Sequence, residues 1–101
     1  MQVKIPGHRY RLSNLDSKDT FQELQFIHKA VDDNGNFKTI QDGTTLEEVI
    51  EMLLDRLSYL QRKVGCRENA IAITKLEEAL MWLNKRTTDR LKRGVEGTPI
   101  K

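Results

Sequence analysis

Two arginines four residues apart, Arg86 and Arg90, carry the strongest chemical signal in this 101-residue sequence. At about 100° per residue they share one side of a helix, with Trp82 and Arg93 beside them. Guanidinium groups stay charged and present a planar fork that binds phosphate oxygens in pairs. Lys85 and Lys92 add to the cluster, so positive charge is concentrated here although the whole chain carries only +2. Two readings are open. The cluster is a site for a phosphate-rich small molecule, or it is a solvated basic helix end, since cations suit a helix C-terminus. Asn69 offers a donor and an acceptor that suit a base or ribose hydroxyl, or it is a helix-end amide satisfied by backbone. Tyr59 or Trp82 could stack on a base, an interaction worth roughly 1–3 kcal/mol. Gly7 would let a ligand approach the backbone beside His8, which otherwise is surface decoration after a Pro-Gly turn.

The elements that must position these groups follow from periodicity. Ile73, Leu76, Leu80, Leu83 and Leu91 form one apolar stripe along a long helix that begins after Cys66 and stops at Gly94. The tail, residues 94–101, leaves beside the arginines. Thr45 and Glu48 fit a capping box, and Leu46, Val49, Ile50, Leu53, Leu57 and Leu60 continue an amphipathic helix to about Lys63. Gly65 ends it, and so short a connection makes the two helices, within residues 44–93, an antiparallel hairpin. Residues 1–43 lack a helical period. His8–Leu12 alternates like a strand, Phe21–Val31 reads as a second, and Phe37–Gln41 is the return after the Asp32–Asn36 turn, where Asn34-Gly35 accepts positive φ. The expected architecture is α+β: one domain, with a small antiparallel sheet of two or three strands followed by the helical hairpin.

Composition excludes several classes. Hydrophobic residues make up 38% and charged residues 32%, with apolar runs too short to span a bilayer and no signal-peptide core. A net charge of +2 does not describe a coat for nucleic-acid polymers. One cysteine, Cys66, cannot form an internal disulfide and fits a reducing cytosol. His8 and His28 have no metal-ligand spacing with Cys66, and no nucleophile or phosphate-loop motif occurs. A binder is therefore expected rather than an enzyme, with no cofactor and no metal. Tyr59 and Met52 lie off the leucine seam of the first helix. In a chain this small, that second apolar surface calls for self-association, unless the sheet packs against it.

The segments PGHRY, DGTTLEEVIEMLLDRLSYL, CRENAIAITKLEEALMWLNKRTTDR and RGVEGT resemble phage sponge proteins that counter Thoeris defence. That family shares its helical hairpin with anti-CBASS cyclic-nucleotide sponges. The resemblance implies homodimers that assemble up to hexamers in the cytoplasm of the infected bacterial host. It implies a ligand, the cyclic ADP-ribose isomer glycocyclic ADP-ribose, held uncleaved at a site shared by two subunits. By the same resemblance Tyr59 stacks on the adenine, where some members carry phenylalanine, and Asn69 supplies the amide. Arg86 and Arg90 bind the phosphates, and the tail from Gly94 to Thr98 closes over the ligand. Cyclic di- or trinucleotides would bind separately, at Gly7, His8 and Arg56. The alternatives are a helical adaptor using the Tyr59 and Met52 face, or an enzyme that cleaves a cyclic nucleotide.

Overall fold

The computed structural model describes residues 1–95 and residue 100. They fall into two compact units, Met1–Thr45 and Leu46–Lys101. The first holds five strands: β1 (Gln2–Ile5), β2 (Arg9–Ser13), β3 (Phe21–Gln25), β4 (His28–Val31) and β5 (Phe37–Gln41). The second is a helical pair, α1 (Leu46–Lys63) and α2 (Arg67–Lys92), packed along each other. No helix among the described residues is long and apolar enough to cross a membrane.

The α+β order is the one the periodicity predicts, but the strand content is larger than a single sheet of two or three. β1, β2 and β3 form an antiparallel sheet in that order, and β4 and β5 form a second, two-stranded one. The stretch expected as one strand, Phe21–Val31, is thus split between two sheets. The split sits at Phe26-Ile27, where the chain returns at Gly43-Thr44. Thr44 N–H donates to the Gln25 carbonyl at 2.9 Å, and Ile27 N–H donates to the Thr44 carbonyl at 2.9 Å. Phe26 N–H donates to the His8 carbonyl at 2.7 Å. These bonds consume the backbone groups that would have continued one ladder. Gly43 is obligatory at this crossing, because a Cβ there would lie 2.5 Å from the Gln25 carbonyl oxygen and 2.6 Å from the Phe26 carbonyl carbon.

The two tight hairpin turns, β1–β2 and β4–β5, rest on glycine. Pro6 and Gly7 occupy a turn closed by His8 N–H to the Ile5 carbonyl at 2.9 Å, with Gly7 at φ +78°. Pro before a positive-φ glycine suits a type II turn. The β4–β5 loop differs in detail from a two-residue Asn-Gly turn. Gly35 has φ +80°, whereas no non-glycine residue among those described has positive φ, Asn34 included. Gly35 N–H donates to the Asp32 carbonyl at 3.0 Å, and the Asp32 carboxylate accepts from the N–H groups of Asn34 and Asn36. Asp32 therefore carries the turn that Asn-Gly was expected to make alone. On β2–β3, Glu23 is bound by Arg9 at 2.7 Å and Arg11 at 3.3 Å, which hold its carboxyl below the usual carboxylate range.

The helices end as their residues dictate. Cys66 is the N-cap of α2, its sulfur accepting from Asn69 N–H at 3.4 Å. The Gln61 side chain clamps the connection from both sides, accepting from Cys66 N–H at 3.0 Å and donating to the Cys66 carbonyl at 3.1 Å. At the other end Gly94, at φ +70°, closes a Schellman motif in which Gly94 N–H donates to Leu91 and Val95 N–H to Arg90. Ile50 alone is buried among the described residues, and even it keeps 8% exposure. The seam otherwise consists of half-buried Val49, Leu54, Leu57 and Leu60 on α1 with Ile73, Leu76, Leu80 and Leu83 on α2.

Candidate functional site

The basic groups come together on the last turns of α2. Trp82, Lys85, Arg86, Asp89, Arg90 and Arg93 line a shallow recess of about 550 Å³. Helical spacing alone brings them there, since residues three, four and seven apart share a face. Arg86 is exposed and reaches Glu47 of α1 at 3.6 Å, an ion pair that marks where the two helices lie alongside each other. Arg90 is half-buried and held differently. Its guanidinium donates to the Val95 carbonyl at 2.9 Å and to the Ile100 carbonyl. Of the tail expected beside the arginines, Val95 and Ile100 are the residues seen to contact Arg90. Gly94 turns the chain there, while Thr98 lies outside the described residues.

Because Glu47 meets Arg86 and α1 begins at Leu46, the end of α2 runs past the end of α1. Leu91 fits the apolar stripe by angle but lies on this overhang, and it is 62% exposed. The overhang leaves the recess open on its far side and puts apolar surface next to the arginines. Lys85 and Asp89 are paired at 2.8 Å on its rim. The carboxyl of Asp89 is held below its ordinary range, first by the Lys85 hydrogen bond and further by Lys92 and Arg93. Asp89 in the recess, and Glu47 as the partner of Arg86, are not among the residues that the sequence reading singles out. The signal that could have found Asp89 is its spacing, four residues from Lys85 and three from Arg86.

Tyr59 and Asn69 are not part of this recess. They stand at the connected end of the hairpin, near the end of α1 and in the first turn of α2. Seventeen residues of helix separate Asn69 from Arg86, roughly 25 Å along the axis. Tyr59 is 46% exposed and Met52, two turns earlier on the same side, 56%. The Lys63 ammonium lies 5.6 Å from the centre of the Tyr59 ring, a cation–π contact on an otherwise open face. Asn69 is half-buried. A planar aromatic and an amide thus stand at one end of the hairpin, and the cationic recess at the other.

The remaining predicted residues belong to different units. Gly7 has open space around its α-carbon and leads into His8, whose ring stacks on His28 at 3.7 Å with an interplanar angle of 9°. Arg56 is an exposed residue of α1, between Met52 and Tyr59. The stacking of the two histidines could not be read from sequence, since it depends on β4 returning past the β1–β2 turn.

Comparison with known proteins gives a family and a relative. Residues 21–88 match the sequence model described as "Acb2/Tad1, hairpin domain". A relative named Thoeris anti-defense 1, from Bacillus phage SBSphiJ7, is 62% identical over 58 residues. The aligned stretch is 56% of this chain and 41% of that relative, so the chain spans well under half of the relative's length. Arg56, Tyr59, Asn69 and Arg86 fall inside the matched segment, whereas Gly7, His8, Arg90, Gly94 and Thr98 fall outside it.

Proposed function

This chain belongs to the Acb2/Tad1 hairpin family, and from that premise we propose that it is a phage sponge for an immune messenger. It binds glycocyclic ADP-ribose without cleaving it and so blocks activation of the Thoeris effector in the cytoplasm of the infected host. The name of its relative supports the defence system, and the resemblance drawn from the sequence supports the ligand. The observation that carries the reading is the recess holding Arg86 and Arg90. Two guanidinium forks on adjacent helical turns suit the two phosphates of an ADP-ribose bridge. A sponge works by mass action, so it must bind below micromolar concentration, beyond about −8 kcal/mol.

The separation of Tyr59 and Asn69 from Arg86 makes one chain insufficient. A base stacked on Tyr59 cannot place its phosphates roughly 25 Å away. Two hairpins related by a two-fold axis bring the connected end of each to the recess of the other, giving two equivalent sites per dimer. The sparse core and the exposed Tyr59, Met52 and Leu91 support such pairing. Higher assembly up to a hexamer, and cyclic di- or trinucleotide binding at Gly7, His8 and Arg56, are carried by the resemblance alone.

Incubation with glycocyclic ADP-ribose, followed by denaturation and recovery, tests the class. A sponge returns the ligand unchanged. A cleaved product assigns an enzyme, and failure to retain the ligand leaves the adaptor reading, which uses the same Tyr59 and Met52 face. Tyr59 then tests the stacking. Tyr59→Phe should bind nearly as well as the parent, because the π-face is kept. Tyr59→Ala should lose on the order of 1–3 kcal/mol, about five-fold to more than a hundred-fold. Light scattering on the same samples should give a mass of at least twice the 11.7 kDa monomer in all three proteins. A monomer at micromolar concentration would overturn the shared site, and an alanine variant binding like the parent would remove Tyr59 from it.

A further inference from the structure

We propose that Gln61 is a positioning residue for the ligand-binding amide: by clamping Cys66 from α1 it fixes the first turn of α2, and with it the place of Asn69. The inference rests on the reading of Asn69 above as a ligand-binding group. The first N–H groups of a helix have no partner within it, so a helix start is only as firm as its cap. At the start of α2 that cap is Cys66, whose sulfur accepts from Asn69 N–H at 3.4 Å. Sulfur is a weak acceptor, and helices favour Ser, Thr, Asp or Asn at this position. The cap alone therefore holds the turn that carries Asn69 loosely.

Gln61 supplies what the cap lacks. A carboxamide carries both acceptor and donors, and here both sides of it bind one residue. Its Oε1 accepts from Cys66 N–H at 3.0 Å, and its Nε2 donates to the Cys66 carbonyl at 3.1 Å. The same carbonyl accepts Ala70 N–H at 3.2 Å, at the start of the α2 ladder. Hydrogen bonds thus join Gln61 to Asn69 through Cys66. They also span the connection between the helices, since Gln61 belongs to α1, two residues after Tyr59. Gly65 leaves the clamp uncrowded: a Cβ there would stand 3.1 Å from the Gln61 backbone carbonyl oxygen and 3.7 Å from its Cδ. The Asn69 side chain is half-buried and enters no hydrogen bond among the described residues, so its amide is at the disposal of a ligand. An amide already held in place loses less freedom on binding than one on a fraying turn, and this is how the clamp bears on affinity.

Calorimetry with glycocyclic ADP-ribose on the full chain compares the parent with Gln61→Met, Asn69→Ala and the double variant. Methionine keeps the length and helix propensity of glutamine but makes neither bond. Asn69→Ala is expected to weaken binding about tenfold and Gln61→Met about threefold, within the net worth of neutral hydrogen bonds. On the Asn69→Ala background, Gln61→Met should change affinity by less than about 1.5-fold, because it acts through the amide already removed. Hydrogen exchange in Gln61→Met should quicken at the amides of Asn69 and Ala70 and stay unchanged at residues 73–83. Cys66→Ser supplies a stronger cap and should recover most of the affinity that Gln61→Met loses. Gln61→Met binding like the parent overturns the inference. So do losses that multiply in the double variant, or a Gln61→Met chain whose helices melt and are not recovered by Cys66→Ser, since each marks a general effect on the fold. Asn69→Ala binding like the parent is a different result: it removes Asn69 from the site, and the inference with it.

Discussion

Arg86→Ala and Arg90→Ala are each expected to weaken glycocyclic ADP-ribose binding by roughly 1.5–3 kcal/mol, about ten- to 150-fold, without unfolding the helix. Alanine is the better helix former, so α2 loses nothing in propensity. The two variants should nevertheless differ. Arg86 is exposed and has a long contact to Glu47, so its removal chiefly deletes a phosphate partner. Arg90 also donates to the carbonyls of Val95 and Ile100, so its removal releases the tail as well. Arg90→Lys separates charge from geometry, since it keeps the charge but loses the fork that holds both tail carbonyls. Calorimetry beside circular dichroism reads all three variants. Unchanged affinity in both alanine variants would show that the phosphates bind elsewhere.

Gly43→Ala is expected to give the largest loss of stability. The added methyl would sit 2.5 Å, 2.6 Å and 2.8 Å from the Gln25 carbonyl oxygen, the Phe26 carbonyl carbon and the Ile27 nitrogen. All three are backbone atoms, which no rotamer change can move aside. Overpacking typically costs about 1–3 kcal/mol, and this position belongs at or above the upper end. Gly35→Ala is the control. It has open space but a φ of +80°, so its cost is conformational only, about 1 kcal/mol. Amide hydrogen exchange should show protection lost at Gln25–Ile27 and Thr44 in Gly43→Ala, with the helical signal of residues 46–92 retained. A denaturation midpoint equal to that of Gly35→Ala would mean that the chain moves at Gly43 more easily than its backbone contacts allow.

The helical hairpin was determined by local chemistry. The apolar spacing, the acidic first turn of α1 with Glu47 and Glu48, and the Gly94 stop each act within a few residues, so they are legible without knowledge of the partner. The basic face of α2 was legible for the same reason, because Trp82, Arg86, Arg90 and Arg93 meet by helical geometry alone. The division of Phe21–Val31 into β3 and β4 was not, since it depends on Gly43 and Thr44 returning from about eighteen residues away to bind Gln25 and Ile27. Strand pairing is a contest among distant backbone groups, and side-chain alternation does not record its winner. The hairpin register likewise became visible only through Glu47 on Arg86. In that register Glu47 lies at Arg86 and Leu91 stands exposed on the overhang. Residue types along a helix state what chemistry is available. Which of those groups one chain can offer to one ligand is a matter of distance, and only the packed helices supply it.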